Sequence, residues 1–151
     1  MDEAFATYLE RVQRHRAELG ESMAALDAAL ALPLGQGVVW RRRVRAALTE
    51  LAHDLRDHVE LTEGEGGLYD DLRRSSPRLS SRVDRQVADH AVALAEVERL
   101  LGERDDGLDD DEAVAAHREA ATALVGMLVR HRQRGSDLVY EAYAVDLGGS
   151  G

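Results

Sequence analysis

Apolar residues recur at spacings of three and four along four long stretches of this chain, and glycine or proline interrupts the pattern between them. That period marks amphipathic helices with one buried face. The first runs from about Glu3 to Leu32, with Tyr8, Val12, His15, Leu19, Met23, Leu26 and Leu30 on one stripe, and ends at Pro33-Leu34-Gly35-Gln36-Gly37. The second starts near Val38 and carries Val44, Leu48, Leu51, Leu55, His58 and Thr62. Glu63-Gly64-Glu65-Gly66-Gly67 disrupts it, because each glycine costs a regular helix about 1 kcal/mol relative to alanine. Leu68 to Leu72 resumes for a turn or two.

Ser76 suits an N-cap and Pro77 a first helical turn, which places the start of a third helix there. Val83, Val87, His90, Leu94, Val97 and Leu101 form its stripe. Gly102 to Asp110 is an acidic linker, and the run Asp109 to Glu112 complements the positive end of a fourth helix. That helix carries Val114, His117, Ala121, Leu124, Leu128 and His131 and ends near Tyr143. No segment alternates as a strand would, and no repeat is present. The expectation is an all-α, up-down-up-down four-helix bundle over residues 1–147, with 148–151 as a flexible tail.

Composition narrows the functional classes. The chain has 151 residues, enough for one domain with a substantial core. Its 29 acidic and 19 basic residues give a formal charge of −10, which disfavours nucleic acid and anionic membrane as partners. The basic run from Trp40 to Arg45 reads as a solvated helix face. Without cysteine there is neither a disulfide framework nor a thiolate metal ligand. Met1-Asp2-Glu3 does not open a signal peptide, and no apolar run approaches the roughly 20 residues that span a bilayer. A cytoplasmic protein is expected. All the basic residues are arginine, and lysine, isoleucine and asparagine are missing, as codon bias in a GC-rich genome would produce.

Against this background the histidines stand out. His15, His58, His90 and His131 each fall on the apolar face of a different helix. Helical bundles build core metal sites from inward side chains of this kind, and neutral imidazole binds iron, zinc and copper. At about 1.5 Å per residue, His15, His58 and His90 come to roughly one level; His131 fits less well unless the third helix runs on into the acidic linker. His117 shares the stripe of His131 but lies 14 residues before it, so it competes for the role of fourth ligand rather than sharing a site. His53 lies off the stripe and reads as a surface residue. The plainer alternative is four separate core histidines, each bonded to backbone or water.

The residues around these histidines carry a family resemblance. Arg14-His15-Arg16, His58 to Glu63 followed by Leu68-Tyr69, Asp89-His90, and His131 to Tyr140 together resemble the hemerythrin-like (HHE cation-binding) domains over about Thr7 to Tyr143. The resemblance implies a non-haem di-iron centre in the bundle, used to bind oxygen, to sense oxygen or iron, or to handle nitric oxide and peroxide. It makes His15, His58, His90 and His131 iron ligands. It also calls for a carboxylate four residues after the second and fourth histidines, where this chain has Thr62 and Gly135; Gln86 stands where some members carry an extra histidine.

The nearest carboxylates are Glu63, five residues after His58, and Asp137, six after His131. Residues i and i+4 lie about 40° apart around a helix, whereas i and i+5 lie about 140° apart. Glu63 and Asp137 therefore reach the metal only if the helix unwinds locally, and Gly64 to Gly67 and Gly135 sit where a π-bulge would be cheapest. Tyr69 and Tyr140 are candidate phenolate ligands or hydrogen-bond donors.

Three outcomes stay open at this point. Bulges bring Glu63 and Asp137 in and complete a di-iron site; a reduced histidine site holds one metal or another cofactor; or the bundle persists without metal. The first two make the chain an iron protein that binds, senses or detoxifies oxygen, nitric oxide or peroxide, with any turnover being that of a di-iron oxidoreductase or peroxidase. The third makes it a metal-free interaction module for a partner protein. No phosphate loop, nucleophile elbow or zinc-protease motif is present.

Overall fold

The computed structural model describes residues 3–33, 37–103 and 110–145, and every regular element among them is helical. Four long helices, α1 (Glu3–Leu30), α2 (Gly37–Glu63), α4 (Ser80–Gly102) and α5 (Asp111–Val139), are joined by a short α3 (Leu68–Ser75) between the second and third. Helices α1 and α2 pack together, α2 packs on α4, α4 on α5, and α5 returns to α1, which closes a bundle. Short connections leave each helix beside its predecessor, as the periodicity anticipates. The expected tail, part of the first interhelical break and most of the acidic linker lie outside the described residues.

The helix ends follow local chemistry. Asp110 caps α5 by accepting from the Ala113 amide at 2.6 Å. Ser76 does not act as the expected side-chain cap; Pro77–Leu79 instead forms a single 3-10 turn leading into α4. Gly66 has φ +72°, a conformation that glycine adopts without steric cost. The Tyr8 hydroxyl closes the same turn, donating to the Leu61 carbonyl and accepting from the Leu68 amide at 2.7 Å. A side chain on Gly67 would meet the Gly64 and Leu61 carbonyls at 2.8 Å.

Two apolar clusters fill the bundle. One, around Leu19, Leu26, Trp40, Leu48, Leu51, Leu55, Val97, Leu100 and Leu124, occupies the half nearer the α1–α2 connection. The other, around Val12, Leu68, Leu72, Leu79, Val83 and Leu138, lies under α3. Buried polar residues, Thr62, Gln86 and three histidines, belong to neither cluster. Among the described residues, no helix is long and apolar enough to cross a membrane.

Candidate metal centre

His58 from α2, His90 from α4 and His131 from α5 are brought together. Each offers a ligand nitrogen, and these atoms all lie within 4.8 Å of one another. Ring centroids are 5.0 Å apart for His58 and His90, 4.7 Å for His90 and His131, and 6.1 Å for His58 and His131. All three are buried.

Two carboxylates orient the rings from behind. His90 Nδ1 lies 2.6 Å from Glu63 Oε2, and His131 Nδ1 lies 3.1 Å from Asp89 Oδ2. Carboxylate oxygens accept, so each Nδ1 carries the proton and each Nε2 is the basic nitrogen. This is how proteins commonly fix the tautomer of a metal-binding imidazole. His90 Nε2 and His58 Nδ1 are buried and make no hydrogen bond among the described residues. Asp89 is itself held by Arg134 at 2.7 Å.

The electrostatics keep the imidazoles neutral. Burial, then the charge of His131 and Arg16, lowers His58 to about 3. Burial and the neighbouring histidines lower His90 to about 2. Burial also lowers His131, although Asp89 opposes it. Burial alone would raise the Asp89 carboxyl, but the hydrogen bonds from Arg134 and His131 bring it below the usual carboxylate range. Burial raises Glu63, against the pull of Arg73. Neutral imidazole is the metal-binding form, so near neutral pH no proton competes for these nitrogens.

The other expected ligands lie elsewhere. Helix α2 is α-helical through Glu63, so this residue points well away from His58 and meets α4, where it bonds His90 instead of joining the converging nitrogens. Helix α5 is likewise α-helical past Gly135, and the π turn comes only at Tyr140–Val145. Asp137 is therefore exposed, accepting from Gln133 at 3.0 Å. Tyr140 is 65% exposed and is not at the centre. His15 is half-buried, with Nδ1 3.9 Å from Glu18, and lines a groove between α1 and α2 with Tyr8, Asp57 and Glu60. The core-facing position on that turn belongs to Arg16, because Val12, Arg16, Leu19, Met23, Leu26 and Leu30 keep a strict four-three alternation. His53 is exposed, and His117 is buried near the other end of α5.

Neither position at i+4 supplies a carboxylate. The Thr62 hydroxyl bonds its own helix through the His58 carbonyl at 2.8 Å. Gln86 reaches across Gly135, its amide donating to the His131 carbonyl at 3.3 Å; a Cβ on Gly135 would meet Gln86 Nε2 at 2.9 Å. No family model, curated protein or solved structure matches the chain, so the site is read from its own geometry.

A cavity of about 20 Å³ adjoins the histidines. That volume accommodates about one water-sized group. His58, His131, Tyr69, Gln86, Arg16 and Arg132 are among its walls. Tyr69 stacks on His90 with centroids 5.8 Å apart, and burial raises its hydroxyl well above the usual range, so it remains a protonated donor. Of these residues, Arg16 and Arg132 went unremarked as site residues in the sequence. Heptad alternation identifies Arg16, and adjacency to His131 is the only hint of Arg132.

Proposed function

We propose that this chain is a hemerythrin-like metal protein that holds one non-haem iron ion between His58, His90 and His131 and binds a small ligand beside it. The convergence of three neutral imidazoles, with His90 Nε2 buried and without a partner among the described residues, carries the reading. Imidazole donors suit iron, as they suit zinc and copper, and the resemblance noted in the sequence favours iron. Three histidines satisfy one ion and leave coordination positions for an exogenous ligand. A second ion has no bridging carboxylate, since Thr62 and Gly135 occupy the two relevant positions and Asp137 is exposed.

When bound, the iron supplies Lewis acidity and reversible redox chemistry to a small oxidant such as oxygen, nitric oxide or peroxide. The chain's residues do the remaining work. Glu63 and Asp89 hold the Nδ1 protons and aim the rings. Tyr69 offers a hydroxyl proton as a hydrogen-bond donor at the cavity wall. Val12, Leu68, Leu138 and Val139 exclude bulk water from the same cavity.

The metal-free reading, a helical module for a partner protein, leaves the buried imidazole nitrogens without a purpose. An unsatisfied buried polar atom costs about 1–3 kcal/mol. Anaerobic titration with ferrous iron, followed by X-ray absorption at the iron edge, tests the proposal. The expected result is saturation at one equivalent, imidazole scattering from three ligands, and a nitrosyl absorption band on adding nitric oxide. Absence of imidazole scattering would overturn it.

A further inference from the structure

The three ligand histidines are buried, and His90 Nε2 and His58 Nδ1 are shut off from solvent. Entry to the centre therefore needs an element that opens locally. Four helices are 23, 27, 28 and 29 residues long and form the bundle itself. α3 has eight residues and is interrupted on both sides, by the glycine turn before Leu68 and by Ser76-Pro77 after Ser75. Two turns of helix are not stable alone, so tertiary contacts hold α3 in place.

Those contacts are local. Leu68, Tyr69 and Leu72 are its buried side chains. The Tyr8 hydroxyl holds the entry to the helix, bonded to the Leu61 carbonyl and to the Leu68 amide at 2.7 Å. Tyr143 donates to Asp71 at 2.5 Å, and Arg73 pairs with Asp84 at 2.8 Å on the surface. The turn before α3 contains Gly66, whose positive φ marks the position where the backbone rotates at least cost.

What α3 covers is His90. Glu63, the last residue of α2, lies 2.6 Å from Nδ1, and Tyr69, the second residue of α3, stacks on the ring at an interplanar angle of 24°. The two ends of the glycine turn thus grip one ligand from two sides. Leu68 and Tyr69 also form the part of the cavity wall that the long helices do not supply. An outward swing of α3 takes Tyr69 off His90 and opens the cavity while the four long helices stay in place.

We infer that α3 is the gate of the metal centre: it opens about Gly66 and Ser76 to admit the metal ion and its small ligand, and Tyr8 is its latch. The inference rests on the metal-centre reading for what passes the gate, while the opening is a property of the chain alone. Linkage makes the coupling reciprocal, so a bound ion that needs His90 in place holds α3 shut.

Two measurements on the full chain test it. Hydrogen exchange of the metal-free protein reads the opening. The amides of Asp71 to Ser76 should exchange about a hundredfold faster than those of α4 around His90, and bound iron should slow them. Anaerobic stopped-flow mixing with ferrous iron reads passage: the uptake rate should level off as iron rises, because opening becomes limiting. Tyr8→Phe removes the latch hydrogen bonds. It should raise both the exchange of α3 and the uptake plateau by about tenfold, with the iron stoichiometry unchanged. Arg99→Gln, on the surface of α4, should change neither.

Three results would overturn the inference: α3 amides as slow as those of α4 in the wild-type chain, uptake that rises linearly with iron beyond the rate of α3 opening, or a Tyr8→Phe chain with faster exchange and unchanged uptake. The wild-type measurements decide even if the variant folds poorly. Failure of the metal reading looks different: no iron is taken up at any concentration, yet α3 still exchanges ahead of α4.

Discussion

His117 and the group His58, His90 and His131 are buried to nearly the same extent: 5% exposed for the first, and 6%, 1% and 2% for the others. Each environment also supplies a carboxylate, Glu103 at 2.7 Å from His117 Nδ1 and Glu63 or Asp89 behind two of the three. The difference lies on the opposite side of the ring. His117 meets the edge of Trp40 at a centroid distance of 6.1 Å, an apolar contact that completes a core. The three meet one another, and the apolar clusters stop on either side of them. Burial and a carboxylate are thus common to both environments, and the convergence of basic nitrogens that a metal ion needs is found only at the second among the described residues.

The comparison breaks most sharply under single alanine substitutions. His58→Ala, His90→Ala and His131→Ala should each weaken metal binding by about a hundredfold or more, since three ligands become two. His117→Ala should keep full metal stoichiometry while lowering the melting temperature. Equilibrium dialysis with ferrous iron measures the first effect and calorimetry the second. Metal lost in His117→Ala but retained in His131→Ala would reverse the assignment of the two residues.

Acid gives the next largest effect. His58 and His90 are lowered to about 3 and about 2, from an ordinary value near 6.5. Both are neutral in the folded chain and take up protons on unfolding once the pH drops below about 6.5. Each such group costs up to about 1.4 kcal/mol per pH unit below that value, so the metal-free protein should lose about 2–3 kcal/mol per unit between pH 6 and 4. Urea unfolding across this range measures the slope, and a flat profile would mean that the rings are not held neutral. His58→Ala should reduce the slope by about half.

Smaller effects separate the supporting carboxylates from the remote one. Glu63→Gln and Asp89→Asn should each reduce metal affinity by about 10–100-fold without changing its stoichiometry, as loss of an orienting partner does elsewhere. Asp137→Asn, at an exposed position, should change affinity by less than about twofold. Equal losses at Glu63 and Asp137 would point to direct ligation by both and to two ions.

Helix periodicity made the bundle and three of the four proposed histidines legible in the sequence, because burial over many turns follows from composition at fixed spacing. His15 went astray because two residues of one turn, His15 and Arg16, both satisfy a loose three-or-four rule. Only the strict alternation from Val12 to Leu30 distinguishes them. Glu63 was singled out in the sequence as a metal ligand, but its partner His90 was not foreseen: its angle from His58 indicates that it leaves that ring, not that α4 presents His90 to it. Local unwinding at Gly135 was one of the outcomes left open by glycine's freedom; α5 stays regular there, and the glycine makes room for Gln86 instead. Those relations are set between helices, which a pattern along one chain does not contain.

The most direct test of the central claim is native mass spectrometry of the wild-type chain after loading with ferrous iron under anaerobic conditions. One iron per chain, lost in His90→Ala, is the predicted result. A wild-type chain carrying no iron, or two, would contradict a single-ion centre at His58, His90 and His131.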